Sequence, residues 1–366
     1  MLRRSDRRQP ASWKAEPQPR KRRLHGLVGG AVGIGLVACF GPPAVERTEV
    51  QQVDPSPSRE GRGSPGVRFE HGSLDDAIAR ARRQGTRVFV EVGAAWCPPC
   101  RVLHREVLDR PEGAALLRGM VAVELDFDQP ANRPVVERYA IISLPTSLVL
   151  APTENGVVEI ARVEGYEQKE PWVSAIRAAR TAEDPLPGLE RAARDRPNDA
   201  RAAFVLGKSL LARGRSDVGE SFLERAVWIG GGSNDALERE TAAEALFVLG
   251  RYHQRVRRDM RTARHVWREL AGRFPGSPHA ATALYWYADA QAAIGQPATA
   301  VLAMRLRAEA SPTDVDAHLQ LAERAGPHGS AADRGWVLDR LRALRRGASG
   351  EPAGEIDRAI TALEAR

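Results

Sequence analysis

Two cysteines separated by two prolines, Cys97, Pro98, Pro99 and Cys100, follow closely on the apolar run Val88, Phe89, Val90, Glu91 and Val92. The run is rich in β-formers, Gly93 to Ala95 supply a turn, and a helix-compatible stretch begins at Cys97. Residues three apart at a helix start share one face, so both sulfurs are presented together. The unpaired backbone donors and the dipole of a helix N-terminus favour a thiolate, lowering a cysteine pKa from about 8.5 towards 7 or below. Cys97 is therefore the candidate nucleophile. Cys100, one turn deeper, is placed to attack a mixed disulfide formed at Cys97 and is the candidate resolving thiol.

Other uses of such a pair fit less well. A structural zinc site takes about four ligands, and the only other cysteine, Cys39, lies far upstream. His104 alone does not complete a set. A purely structural bridge gains little by closing so short a loop. The pattern predicts a redox disulfide, Cys97–Cys100, with no metal and no cofactor.

With these residues in view, the segment 67–182 resembles the thioredoxin family, whose α/β fold is then expected here. The family carries a buried acid six residues before the first cysteine, the proton acceptor for the second, and Glu91 occupies that position. Val90 and Val92 beside it suggest a central, buried strand. The family also sets a cis-proline against the cysteine pair. Leu144, Pro145 and Thr146 stand in that place, after a strand Val121 to Phe127 and a short helix Val135 to Tyr139, and before a strand Ser147 to Leu150. The resemblance implies a cis bond at Pro145, leaving the Leu144 main chain to pair with a substrate peptide beside the sulfur. Trp96 and Leu144 are the expected substrate-binding residues. Where thioredoxin itself has a lysine near the buried acid, Glu124 stands here, which alters the proton path. Pro99 in the second place between the cysteines resembles the reducing members, and prolines in both places are common among membrane-tethered, extracytoplasmic relatives.

Ser73 followed by Asp76 is a helix start, Leu74, Ala77, Ile78 and Ala81 form its apolar stripe, and Gly85 ends it. Gly156 turns a hairpin into Val157 to Val163, and Pro171 to Arg180 reads as the last helix of this part.

The leader accounts for the charge of the chain. Nine Lys and Arg precede His25, against Asp6 and Glu16, so residues 1–38 carry the same +7 as the whole and the remainder is neutral. Neutrality argues against a nucleic-acid partner. Leu27 to Phe40 is an apolar stretch of fourteen residues, short of the roughly 20 that span a bilayer and suited to a signal peptide. It ends in Leu36, Val37, Ala38 and Cys39, which resembles the bacterial lipobox. That implies a lipoprotein signal over 1–38, lipidation of Cys39, and a chain tethered to the cell envelope and facing the periplasm. An ordinary signal peptide or a poorly spanning anchor, with an incidental cysteine, is the alternative. Residues 39–66, rich in proline and polar side chains, read as a disordered tether that reaches roughly 25 to 30 Å.

Beyond a break at Pro185, Leu186, Pro187 and Gly188, the chain repeats. Leu206-Gly207 with Ala226 aligns with Leu249-Gly250, Ala263, Trp267, Leu270 and Pro275, and with Tyr287-Ala288, Ala300, Met304 and Pro312. The pattern resembles tetratricopeptide repeats, with spacings longer than the usual 34 residues and an insertion at Gly230 to Gly232. An all-α solenoid over 188–347 is expected, with a capping tail over 348–366. Arg257, Arg261, Arg264 and Arg268 recur at helical spacing as a basic stripe, read as a solvated face. Tyr285, Trp286 and Tyr287 read as interhelical core.

The sequence thus predicts a membrane-tethered thiol-disulfide oxidoreductase, with reduction as the expected direction. Its partners are protein disulfide substrates, an upstream thiol-disulfide electron donor, proteins held by the repeats, and the membrane through the lipid. The alternative is a non-enzymatic scaffold whose thioredoxin-like part binds clients.

Overall fold

The computed structural model describes residues 66–154 and 156–365. The leader, the Cys39 lipidation site and the tether lie outside them. Helix α1, Leu74–Gln84, opens on a reciprocal cap in which the Ser73 hydroxyl accepts from the Asp76 N–H and the Asp76 carboxylate accepts from the Ser73 N–H. It closes on Gly85 at φ 63°, a left-handed conformation that glycine adopts without steric cost. Strand β1, Val88–Gly93, leads through a short turn into α2, Pro98–Leu103, which runs on into a π-turn over His104–Leu108. Then come α3, Pro111–Leu116, β2, Val121–Asp126, α4, Arg133–Arg138, β3, Thr146–Thr153, β4, Gly156–Glu164, and α5, Lys169–Ala179.

The strands form one sheet in the order β2-β1-β3-β4, with β1 parallel to β2 and antiparallel to β3, and β3 antiparallel to β4. Every residue of β1 is buried, as a strand covered on both faces requires. Val88, Val90 and Val92 face the core built with Leu74, Ile78 and Ala81 of α1. Phe89 faces the opposite core with Leu103, Val107, Trp172 and Ile176. By the two-residue alternation of a strand, Glu91 lies on the Phe89 face. This is the thioredoxin-like α/β fold expected from the sequence.

A long run of helices follows: α6, Leu186–Asp195; α7, Ala200–Ala212; α8, Ser216–Gly231; α9, Ala236–Arg251; α10, Met260–Arg273; α11, His279–Ala293; α12, Pro297–Ala310; α13, Val315–His328; α14, Ala331–Arg345; and α15, Gly350–Glu364. Each packs on its neighbour in sequence. The small residues of the repeat pattern sit where helices approach closely. A Cβ on Gly207 would lie 2.9 Å from the Gly219 carbonyl oxygen, and one on Gly250 would lie 2.6 Å from the Trp267 ring. Ala263, Trp267, Ala288, Ala300 and Met304 are buried. Among the described residues no helix is long and apolar enough to cross a membrane.

Three local expectations need correction. The segment Leu186 to Gly188 is not a break but the first turn of α6, where a proline loses nothing because the N–H it lacks has no helical partner. Gly230 and Gly231 continue α8 instead of forming an insertion, and a Cβ on Gly230 would collide with the Glu238 carbonyl. Arg257 does not share a helix face with Arg261, Arg264 and Arg268. It follows a π-turn over Tyr252–Val256, and Arg258 at φ 54° turns the chain before α10 begins.

The two halves also share a core. Ala140 and Ile142, ahead of β3, belong to the apolar cluster built by Phe204, Leu223, Leu246, Phe247 and Trp267 of the helical run. Arg133 of α4 donates to the carbonyls of Arg255, at 3.0 Å, and Val256, at 2.6 Å. Lys208 of α7 meets Glu164 at the end of β4 at 2.6 Å. At this junction the two halves are packed together and not separated by solvent.

Candidate functional site

Cys97 is the N-cap of α2, and its Sγ accepts the Cys100 N–H at 3.2 Å. Pro98 and Pro99 fill the first helical positions, where their fixed φ suits the turn. The two cysteines are joined as a disulfide, with Cα atoms 5.3 Å apart. Both are nearly closed off, Cys97 at 2 % exposure and Cys100 at 4 %. Exposure therefore does not separate their roles, because the surface at the helix start belongs to Trp96 and Pro98. What distinguishes Cys97 is its place at the cap, where the backbone donors converge. Trp96 is 40 % exposed, and its ring N–H donates to Asp128 in the loop after β2.

The Leu144–Pro145 bond is cis. Leu144 belongs to the same apolar cluster as Cys97 and Cys100. The Pro145 carbonyl accepts from the Gly165 N–H, and the Thr146 hydroxyl donates to the Ser143 carbonyl, so the loop is held on both sides of the bond. Among the described residues no backbone group pairs with the Leu144 main chain.

Glu91 stands in the register opposite Glu124 of β2 and Ser147 of β3. Its carboxylate is fully buried and neither oxygen accepts a hydrogen bond. It folds back beside Gly93, where a Cβ would lie 2.7 Å from its Oε1, so glycine leaves the carboxylate its room. Burial holds the Glu91 pKa above the usual carboxylate range, and Glu124 and Asp126 add to the rise against the opposing pull of His104. His104, one helical turn beyond Cys100, has Nε2 3.9 Å from Glu91 Oε2 and 3.5 Å from Glu124 Oε1. Its Nδ1 is 3.6 Å from Asp109 Oδ1. Burial draws the His104 pKa down, but Glu91, Glu124 and Asp109 outweigh it and leave the ring more basic than usual. Glu91, His104 and Glu124 also offer three metal-ligating atoms within 4.8 Å of one another.

Two contributors escaped the sequence reading. His104 appeared only as an insufficient zinc ligand beside the cysteines, although its spacing of four from Cys100 already puts it on the same helix face. Arg251, at the end of α9, is buried, and its Nε and Nη2 both donate to the Ile142 carbonyl, at 3.2 and 3.0 Å. Its guanidinium lies 4.1 Å from the centre of the Trp286 ring. Nothing in the sequence connects residues 109 apart. Tyr285 is core, as expected, with Trp286 and Tyr287 partly buried against it.

Comparison with known proteins places this arrangement. Residues 69–152 match the family model described as thioredoxin-like. Over 81 residues the chain is 36 % identical to the thiol:disulfide interchange protein DsbD 1 of Pseudomonas aeruginosa, and 31 % identical to DsbD 2 of the same organism. Each alignment covers 22 % of this chain and 14 % of the relative. With DsbD of Ralstonia nicotianae the identity is 26 % over 172 residues, 45 % of this chain and 28 % of that one. The chain therefore spans less than a third of the length of these curated relatives. Among solved structures, a thioredoxin from Thermus thermophilus is 25 % identical with a TM-score of 0.29, covering 31 % of this chain and 85 % of that one. The crystal structure of MamA is 14 % identical with a TM-score of 0.32, covering 50 % and 86 %. The chain carries a thioredoxin-like domain with a cysteine pair at its helix start, followed by an all-helical C-terminal region.

Proposed function

We propose that this protein is a membrane-tethered thiol-disulfide oxidoreductase that reduces disulfides in protein clients. The observation that carries the reading is the Cys97–Cys100 disulfide at the start of α2, in one apolar cluster with Leu144 of the cis Leu144–Pro145 bond. In the reduced form Cys97, at the cap, is the thiolate. It attacks one sulfur of the client disulfide, forming a mixed disulfide and releasing the other client sulfur as a thiolate. Cys100 then loses its proton to Glu91 and attacks the Cys97 sulfur. The Cys97–Cys100 disulfide forms, the second client thiolate departs, and two electrons have passed to the client. A buried carboxylate with a raised pKa is suited to take a thiol proton near neutral pH. The open Leu144 main chain offers a client strand a backbone partner beside the sulfur, and Trp96 offers an apolar surface.

The return to the dithiol needs an upstream thiol donor, a reading supported by the similarity to thiol:disulfide interchange proteins. The helical run, with small residues at its close helix contacts, supports a tetratricopeptide-like solenoid that receives protein partners. The charged leader, the short apolar stretch and the run ending in Cys39 support a lipid anchor and a periplasmic setting.

Reduction of insulin by the chain, with dithiothreitol as donor, tests the activity. Turnover well above the dithiothreitol background, with a Cys97–Cys100 potential in the range of reducing thioredoxins, about −270 mV, is the expected result. Turnover no faster than background rejects it.

A further inference from the structure

Behind the cysteine pair, the Phe89 face of the sheet carries a group of side chains that the exchange reaction uses only in part. Glu91, His104 and Glu124 present their ligand atoms within 4.8 Å of one another. His104 Nε2 lies 3.5 Å from a Glu124 oxygen and 3.9 Å from a Glu91 oxygen. Two ligands bound at about 2.0 to 2.1 Å to one tetrahedral zinc ion are roughly 3.3 Å apart. Small side-chain shifts therefore suffice to close the three atoms around an ion.

Two further observations point to a cation. The Glu91 carboxylate is fully buried, faces this cluster, and accepts no hydrogen bond at either oxygen. Its nearest cationic group is His104 Nε2 at 3.9 Å, beyond hydrogen-bond length, whereas buried polar groups ordinarily have a bonded partner. The second is the orientation of His104, whose other nitrogen, Nδ1, is turned to Asp109 at 3.6 Å. A metal-bound histidine characteristically gives its second ring N–H to a carboxylate, which fixes the ring and raises its basicity. Glu91, Glu124 and Asp109 surround the His104 imidazole, and Asp126 acts on Glu91. The Glu124 side chain is half exposed and gives an ion its way in.

We propose that Glu91, His104 and Glu124 form a three-ligand site for a divalent metal ion, with Asp109 as the support of His104 and a fourth position left to solvent. One imidazole and two carboxylates, without thiolate, suit zinc. Binding forms three coordinate bonds and moves no electrons, and any proton on the ligand atoms leaves to solvent. A Glu91 carboxylate that ligates a divalent cation is a much weaker base for the Cys100 proton, so ion and proton compete for one carboxylate. This last consequence rests on the exchange reading above, whereas the site itself does not.

The test uses the full chain carrying Cys39→Ala, with the Cys97–Cys100 disulfide intact, so that no thiol can bind metal. After chelator treatment the protein is titrated with zinc against a chromophoric chelator. One zinc per chain at micromolar or tighter affinity is expected, weakened at least tenfold by His104→Ala and by Glu124→Gln, and about tenfold by Asp109→Asn. Glu112→Gln, a carboxylate in a salt bridge with Lys169 elsewhere on this half, should leave affinity unchanged and serves as the surface control. Circular dichroism establishes that each variant is folded. Absence of binding at 100 micromolar zinc, or binding that His104→Ala and Glu124→Gln both leave intact, overturns the site. Insulin reduction measured separately in chelator reports on the exchange reading alone, so the two can fail independently.

Discussion

The guanidinium of Arg251, at the end of α9, donates twice to the carbonyl of Ile142, three residues before the cis-proline Pro145. The helical run thereby holds the cis-proline loop, whose Leu144 shares an apolar cluster with the disulfide. The same loop is held from below by Thr146 and Gly165 and shares its Ala140 and Ile142 side chains with the helical core. The helices are thus a structural support of the redox site as well as a candidate surface for partners.

Arg251→Ala should cost about 2 to 3 kcal/mol. It leaves a buried carbonyl unpaired and opens a cavity against Trp286. Because the halves share this core, calorimetry on the full chain should show one transition, shifted to lower temperature in the variant. Two well-separated transitions in the wild type, with only the later one moved, would contradict the shared core.

Acid should loosen the same junction. Burial alone would raise the Glu164 pKa, but Lys208 of α7 and Arg162 outweigh it and hold Glu164 below the usual carboxylate range. A carboxylate depressed in the folded state contributes stability that is complete above its unfolded pKa, about 4.3 for glutamate. That contribution is lost as the pH falls towards the folded value. Urea midpoints measured between pH 6 and pH 3 should fall more steeply for the wild type than for Glu164→Gln. Parallel curves would show that the ion pair carries no pH-dependent stability.

Glu91→Ala should slow the second chemical step and spare the first. Its carboxylate is the proton acceptor proposed for Cys100, while the cap of α2 activates Cys97 without it. General-base contributions of about 10²- to 10⁴-fold set the scale. Stopped-flow with a defined disulfide peptide, in chelator, separates mixed-disulfide formation from its resolution. Equal slowing of both steps counts against the role.

Cys39→Ala should release the protein from membranes, since two acyl chains on one cysteine provide the stable anchoring that a single chain does not. Fractionation and mass spectrometry of the mature N-terminus check this, and a membrane-bound variant or an intact leader rejects the lipoprotein reading.

The order of strands and helices around the site was legible because each part has a local signature: β-formers before Cys97, a capping pair at Ser73 and Asp76, and a turn at Gly156. Cys97, Cys100, Glu91 and Pro145 were singled out by motif spacing and family resemblance, and the fold sets the disulfide, the cis bond and the buried acid on neighbouring elements. The proximity of His104 to both Glu91 and Glu124 was harder to see, because it depends on the parallel register of β1 and β2 as well as on the helix. Arg251 was invisible, since its partner is a backbone carbonyl that carries no side-chain identity. The proline-rich start of α6 misled for a physical reason, as proline ends helices in their interior and begins them at the first turn.

The most direct measurement is the trapping of a client disulfide by single-cysteine variants. The full chain carrying Cys100→Ser should form a stable mixed disulfide through Cys97 with a disulfide-bonded peptide, seen by mass spectrometry as a one-to-one adduct. Cys97→Ser should form none and should lose turnover. An adduct that forms through Cys100 instead, or equal activity in the Cys97→Ser chain, would contradict the account of Cys97 as the attacking thiol.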